Sequence, residues 1–138
     1  MGWEKKTARL AAFSDGVFAV AMTLLVIDLK VPPPPPGAAN HQLWGIWPSF
    51  LAFVMSFVAT LIMWVNHHGL FGLIQGVDAR LLFANGLLLL LVTCVPFPTA
   101  VLAAHLNRET ANTAAALYCG TYVVINLAYN LPWHTATH

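Results

Sequence analysis

The sequence predicts an all-α fold, a polytopic membrane helix bundle with four spans. Hydrophobic residues fill 59% of the 138 positions and charged residues only 8%, where a soluble domain carries about a quarter charged. Mean hydropathy is +0.72. The apolar residues also come in long runs rather than narrow stripes, and four of these runs reach the roughly 20 residues that cross a bilayer. A net charge of +1 leaves no basic footprint, which argues against nucleic acid as a partner.

The first run follows "MGWEKKTAR", which has the charge of a secretory n-region. The run is too long for an h-region, and no small-residue cleavage site follows it. It ends at Asp28–Lys30 and a proline tract, so a retained first span over residues 9–29 is expected. Residues 30–43 hold five consecutive prolines, which cannot propagate a helix and favour a stiff, extended spacer. They read as an exposed loop, with a docking motif as the alternative.

The second span is expected over 45–68, the third over 81–104 and the fourth over 111–131, joined by "GLIQGVDAR" and "AHLNRET". Pro96 and Pro98 fall inside the third and predict a kink or a local unwinding, read as a packing feature. Cys94 and Cys119 lie in apolar runs and read as small buried side chains rather than a disulfide or a metal pair. Trp44, Trp47 and Trp133 sit near span ends, as interfacial tryptophans do. Placing the N-terminus in the cytoplasm leaves Lys5, Lys6, Arg9 and Arg80 inside against Lys30 and Arg108 outside, the orientation basic residues favour. The proline-rich loop is then extracellular.

The first span has two unlike faces. At about 100° per residue, Val20, Leu24 and Ile27 fall within about 60° of one another, Phe13 and Gly16 continue the stripe, and Thr23 stands at its edge. Ser14 and Asp15 point the other way, more than about 100° from the stripe centre. An intramembrane carboxylate calls for partners, and the topology offers them at one depth. The second span ends in Asn66, His67 and His68, and the third begins with Arg80 and Asn85. This polar layer reads as a packing network, because half-satisfied polar groups in lipid cost several kcal/mol each. A proton relay through Asp15, His67 and His68 is the alternative reading.

The wording of the motif adds to its spacing. Arg-x-x-x-Phe-Ser-Asp-Gly, met by Arg9, Phe13, Ser14, Asp15 and Gly16, and the segment Val20–Leu24 closely resemble the first-helix signature of the transmembrane protein 175 family, potassium channels of endosomes, lysosomes and prokaryotic membranes. The "NHH" end of the second span and the Arg80-x-x-x-x-Asn85 start of the third resemble the family too. The resemblance implies a homotetramer in a prokaryotic plasma membrane, with the first helices around a central pore. It makes Val20 the narrow ring, followed outward by Leu24 and Ile27, with Thr23 and Gly16 also lining the path. Arg9, Phe13, Ser14, Asp15, Asn66, His67, His68, Arg80 and Asn85 would form the packing network. Potassium would be the permeant ion, with no cofactor, resident metal or small-molecule substrate.

Two departures stand out: the family usually has a bulkier side chain at the Val20 position, and it usually has six spans. A proton-conducting channel or small proton-coupled transporter is the alternative function, built on the Asp15/His67/His68 layer. Enzyme signatures such as HExxH, GxSxG or a Gly-rich phosphate loop do not occur. A haem bundle would need facing histidines on different helices, whereas His67 and His68 adjoin, and His41, His105, His134 and His138 are expected in loops or ends.

Overall fold

Four long apolar helical segments organise the described residues, which in a computed structural model are 2–30, 36 and 42–136. Among the described residues there are six helices: α1 (Gly2–Ile27), α2 (Gln42–Gly45), α3 (Trp47–Leu73), α4 (Ala79–Thr93), α5 (Pro96–His105) and α6 (Ala111–Ala136). By length and composition α1, α3, the α4–α5 pair and α6 can each cross a membrane. Most of the proline-rich loop, including His41, lies outside the described residues, as does His138.

Local chemistry explains the boundaries. Asp78 caps α4, its side chain accepting from the Leu81 amide at 2.8 Å, which satisfies one of the orphan donors of a helix start. Pro48 sits in the first turn of α3, where a missing N–H costs nothing. α4 stops because Pro96 and Pro98 cannot donate. Cys94 and Val95 turn back onto Leu91 and Val92 with tight bonds of 3.1 Å each, and α5 starts on Pro96. The expected disturbance of the third span is therefore a single tight turn between two helices.

The remaining edges differ from expectation in instructive ways. α1 begins at Gly2 rather than residue 9, because Glu4, Lys5 and Lys6 are good helix formers in water. α3 runs on to Leu73, so the glycines at 69 and 72 are helical. α6 continues past Pro132 to Ala136 and contains His134; one proline near a helix end removes one bond without ending the helix.

The α4–α5 span is central, touching α1, α3 and α6, while α1 also packs on α3. Its core joins Phe18, Ala21 and Leu25 of α1 to Met63, Leu88, Leu89, Val92 and Ile125. One end is closed by Ala52, Leu102, Ala114 and Tyr118, the other by Leu70, Phe71, Ile74 and Leu81. Ala52 and Ala114 share an end, so α3 and α6 run parallel. Lipid is as apolar as leucine, so packing and hydrogen bonds hold such helices together. Cys94 and Cys119 correct the expectation of burial: both are free and exposed, Cys119 standing about 100° round α6 from buried Tyr118.

Candidate functional site

A buried polar chain ties three helices together. Ser14 donates to the Leu10 carbonyl one turn back at 2.9 Å and accepts from Asn85 Nδ2 at 3.0 Å. That fixes the amide so that Asn85 Oδ1 faces His67, whose Nε2 donates to it at 2.8 Å. The His67 ring stacks on Phe71 with centroids 4.4 Å apart and rests against Phe18 at 5.3 Å. Ser14, His67 and Asn85 are all fully buried. In hydrocarbon these groups have no water to fall back on.

Asp15 belongs to a second, more open group. Trp64 Nε1 donates to Asp15 Oδ1 at 2.8 Å, and His68 Nδ1 lies 4.0 Å from Asp15 Oδ2, close enough for an ion pair when the imidazole is protonated. Trp64 was not expected there. Its signal in the sequence is its place one turn before His68, and the two rings meet at a tilt with centroids 5.6 Å apart.

Five residues expected in this layer are exposed: His68, which still approaches Asp15, and Arg9, Phe13, Asn66 and Arg80, which stand away from it. The reason is angular. Arg9 is five residues from Ser14, and Arg80 is five from Asn85, so each points about 140° away from the buried member of its pair. Asn66 is about 100° from His67, and Phe13 about 100° from Ser14.

The other face of α1 is bare. Phe13, Val20, Leu24 and Ile27 are 64%, 57%, 40% and 68% exposed, while Phe18, Ala21 and Leu25 on the opposite side are buried. Gly16 and Thr23 are exposed as well. Thr23 donates to the Val20 carbonyl at 2.8 Å, which leaves its oxygen lone pairs free to accept. A shallow groove of about 450 Å³ between α1 and α4 is lined by Ala12, Phe13, Gly16, Val17, Val20 and Thr93.

A second polar cluster escaped the sequence reading. Ser56 Oγ lies 2.7 Å from Thr99 Oγ1 and 2.9 Å from the Tyr118 hydroxyl. Thr99 itself donates to the Val95 carbonyl at 2.8 Å. Each hydroxyl has one proton, so the chain runs from Tyr118 to Ser56 to Thr99 and ends on the carbonyl beside the helix break. Hydroxyl residues are too common in spans to single these out by sequence.

These features define a polytopic helical membrane protein. Its first helix is anchored by polar groups on one face and turns an apolar stripe outward on the other. The profile of the family described as the endosomal/lysosomal potassium channel TMEM175 matches residues 9–96. The chain is 48% identical, over 97% of its length, to a protein of Chamaesiphon minutus named as a potassium channel, and 47% identical, over 93%, to one of Streptomyces collinus named likewise. A crystal structure described as a lysosomal potassium-selective channel TMEM175 homolog from Chamaesiphon minutus superposes with a TM-score of 0.92 at 47% identity, covering 96% of this chain and 72% of that one. The chain belongs to the TMEM175 family. It spans 68% and 63% of the two relatives' own lengths.

Proposed function

We propose that the chain forms a potassium-selective cation channel, a homotetramer in which four copies of α1 surround the pore. The carrying observation is the division of α1: Ser14, Phe18, Ala21 and Leu25 are buried in the bundle, while Val20, Leu24 and Ile27 on the opposite face are exposed. The names of the bacterial relatives support potassium as the ion. Lys5, Lys6 and Arg9 near the start of α1 support an N-terminus on the cytoplasmic side, and the bacterial relatives support a prokaryotic membrane.

In this arrangement a ring of Val20 offers no coordinating oxygen. Ions pass hydrated or partly hydrated when the ring is wet, and a narrowed ring gates by dewetting. Potassium parts with water more easily than sodium, so an apolar restriction favours it. Thr23 replaces part of the lost shell with its acceptor lone pairs. The pore takes potassium as the permeant ion and needs no cofactor.

The test is flux into liposomes holding the purified chain. Val20→Ala raises potassium flux and lowers the potassium-to-sodium ratio. Unchanged flux in both Val20→Ala and Leu24→Ala rules out the pore assignment.

A second reading, proton conduction, draws on the 4.0 Å approach of His68 to Asp15. The human relative named as an endosomal/lysosomal proton channel is 39% identical over 72 residues, 46% of this chain and 14% of that protein. A pH-sensitive dye in the same liposomes, with valinomycin as control, separates the two: potassium flux without matching acidification supports the first.

A further inference from the structure

We propose that the cavity where α1, α3 and α5 meet holds the headgroup of a membrane phospholipid, one whose phosphate carries a primary ammonium. The cavity encloses about 820 Å³, and its lining includes Asp28, Lys30, Ser49, Asn107 and Arg108 beside small residues such as Ala103. Small-molecule sites span about 300–1,000 Å³. Val20, Leu24 and Ile27 are not among the lining residues, so the cavity stands apart from the stripe assigned to the pore.

Its place in the fold is the edge of the apolar layer. At this end of the bundle the spans stop at Ile27, start at Trp47 and stop at His105. Asp28, Lys30, Asn107 and Arg108 therefore follow directly on the ends of two spans. Trp44 and Trp47 flank the lining residues Gly45 and Ile46 and are exposed. Tryptophan collects at the depth of lipid headgroups.

Charge selects the ligand. Among the described residues Asp28 pairs with neither Lys30 nor Arg108; the close pair of opposite charges is His68 with Asp15. Opposite charges thus share one cavity without cancelling. Arginine and lysine suit a phosphate, the first as a fork of donors and the second as a point charge. The start of the 27-residue helix α3 lies on the same cavity, with the Ser49 hydroxyl, and favours negative charge as well. The Asp28 carboxylate calls for a donor instead. It follows the C-terminus of α1, and α5 ends nearby at His105; the carbonyl ends of both helices attract a cation. A free phosphate leaves Asp28 facing an anion, and a choline headgroup has no N–H to give it. A phosphoethanolamine headgroup satisfies both halves, with its acyl chains in the surrounding bilayer.

The test reconstitutes the chain into vesicles of phosphatidylethanolamine, phosphatidylcholine and phosphatidylglycerol in equal parts. Mild detergent then extracts it, and native mass spectrometry identifies the lipid it retains. Phosphatidylethanolamine should be held about tenfold over either other lipid, the difference of one charge-assisted contact. Asp28→Asn should abolish that preference, a ratio read within folded protein. Lys30→Gln with Arg108→Gln, at exposed positions, should lower retention of all three lipids without moving the melting temperature of the delipidated chain. Soluble glycerophosphoethanolamine in excess should leave the bound lipid in place. Equal retention of the three lipids or a preference for phosphatidylglycerol overturns the proposal. So does retention that ignores both variants, or displacement by the soluble headgroup.

Discussion

Asn85 is the residue on which the buried layer turns, because it alone bonds to both other helices: Ser14 of α1 and His67 of α3. Asn85→Leu keeps the volume but strands the Nε2 proton of His67 and removes the donor from Ser14. A buried polar group left unpaired costs about 1–3 kcal/mol. Asn85→Leu should therefore lower the melting temperature in detergent by several degrees, while Arg80→Ala, at an exposed position, should barely move it. Equal effects would mean that the layer carries no packing energy. At this scale the sequence was partly legible. Ser14, Asn85 and His67 follow from which span ends share a depth. Trp64 did not, because its partner Asp15 is 49 positions away, and an indole near an interface has an ordinary role as an anchor.

Among the elements, the two faces of α1 were the most legible, since a period of 3.6 separates Val20, Leu24 and Ile27 from Ser14 and Asp15 whatever surrounds them. The break between α4 and α5 was legible too, as proline leaves an amide donor missing wherever it falls. What secures the break was not. The Tyr118–Ser56–Thr99 chain depends on three helices meeting at one height, which no local pattern encodes. Ser56→Ala strands the Tyr118 hydroxyl and takes the donor from Thr99. Thr99→Val costs less, because the Ser56 hydroxyl can turn to the carbonyl four residues back. Melting curves should rank the two in that order; the reverse order would place the weight of the cluster on Thr99.

The molecule as a whole was read as four spans, and among the described residues four helical segments are long and apolar enough to cross a membrane. The extent of each was less legible, because helix ends at Gly2, Leu73 and Ala136 lie where water, not lipid, decides. Asp15 tests how the bundle relates to its assembly. It accepts from Trp64 and faces His68, on the side of α1 away from the stripe. Asp15→Ala should reduce the yield of cross-linked tetramer in membranes while leaving the potassium-to-sodium ratio of the surviving channels unchanged. Normal tetramers with an altered ratio would move the ion path to the polar layer.

The hydrogen bond between Ser14 and Asn85 has a mechanical meaning for a ring of four such helices. A helix with its side chains is about 10–12 Å across, so a twist of about 20° swings each side-chain tip about 2 Å sideways. That is comparable to the radius of a dehydrated cation. In the proposed channel the bore of such a ring would thus be steered from the back of each helix, by a contact away from the ion path.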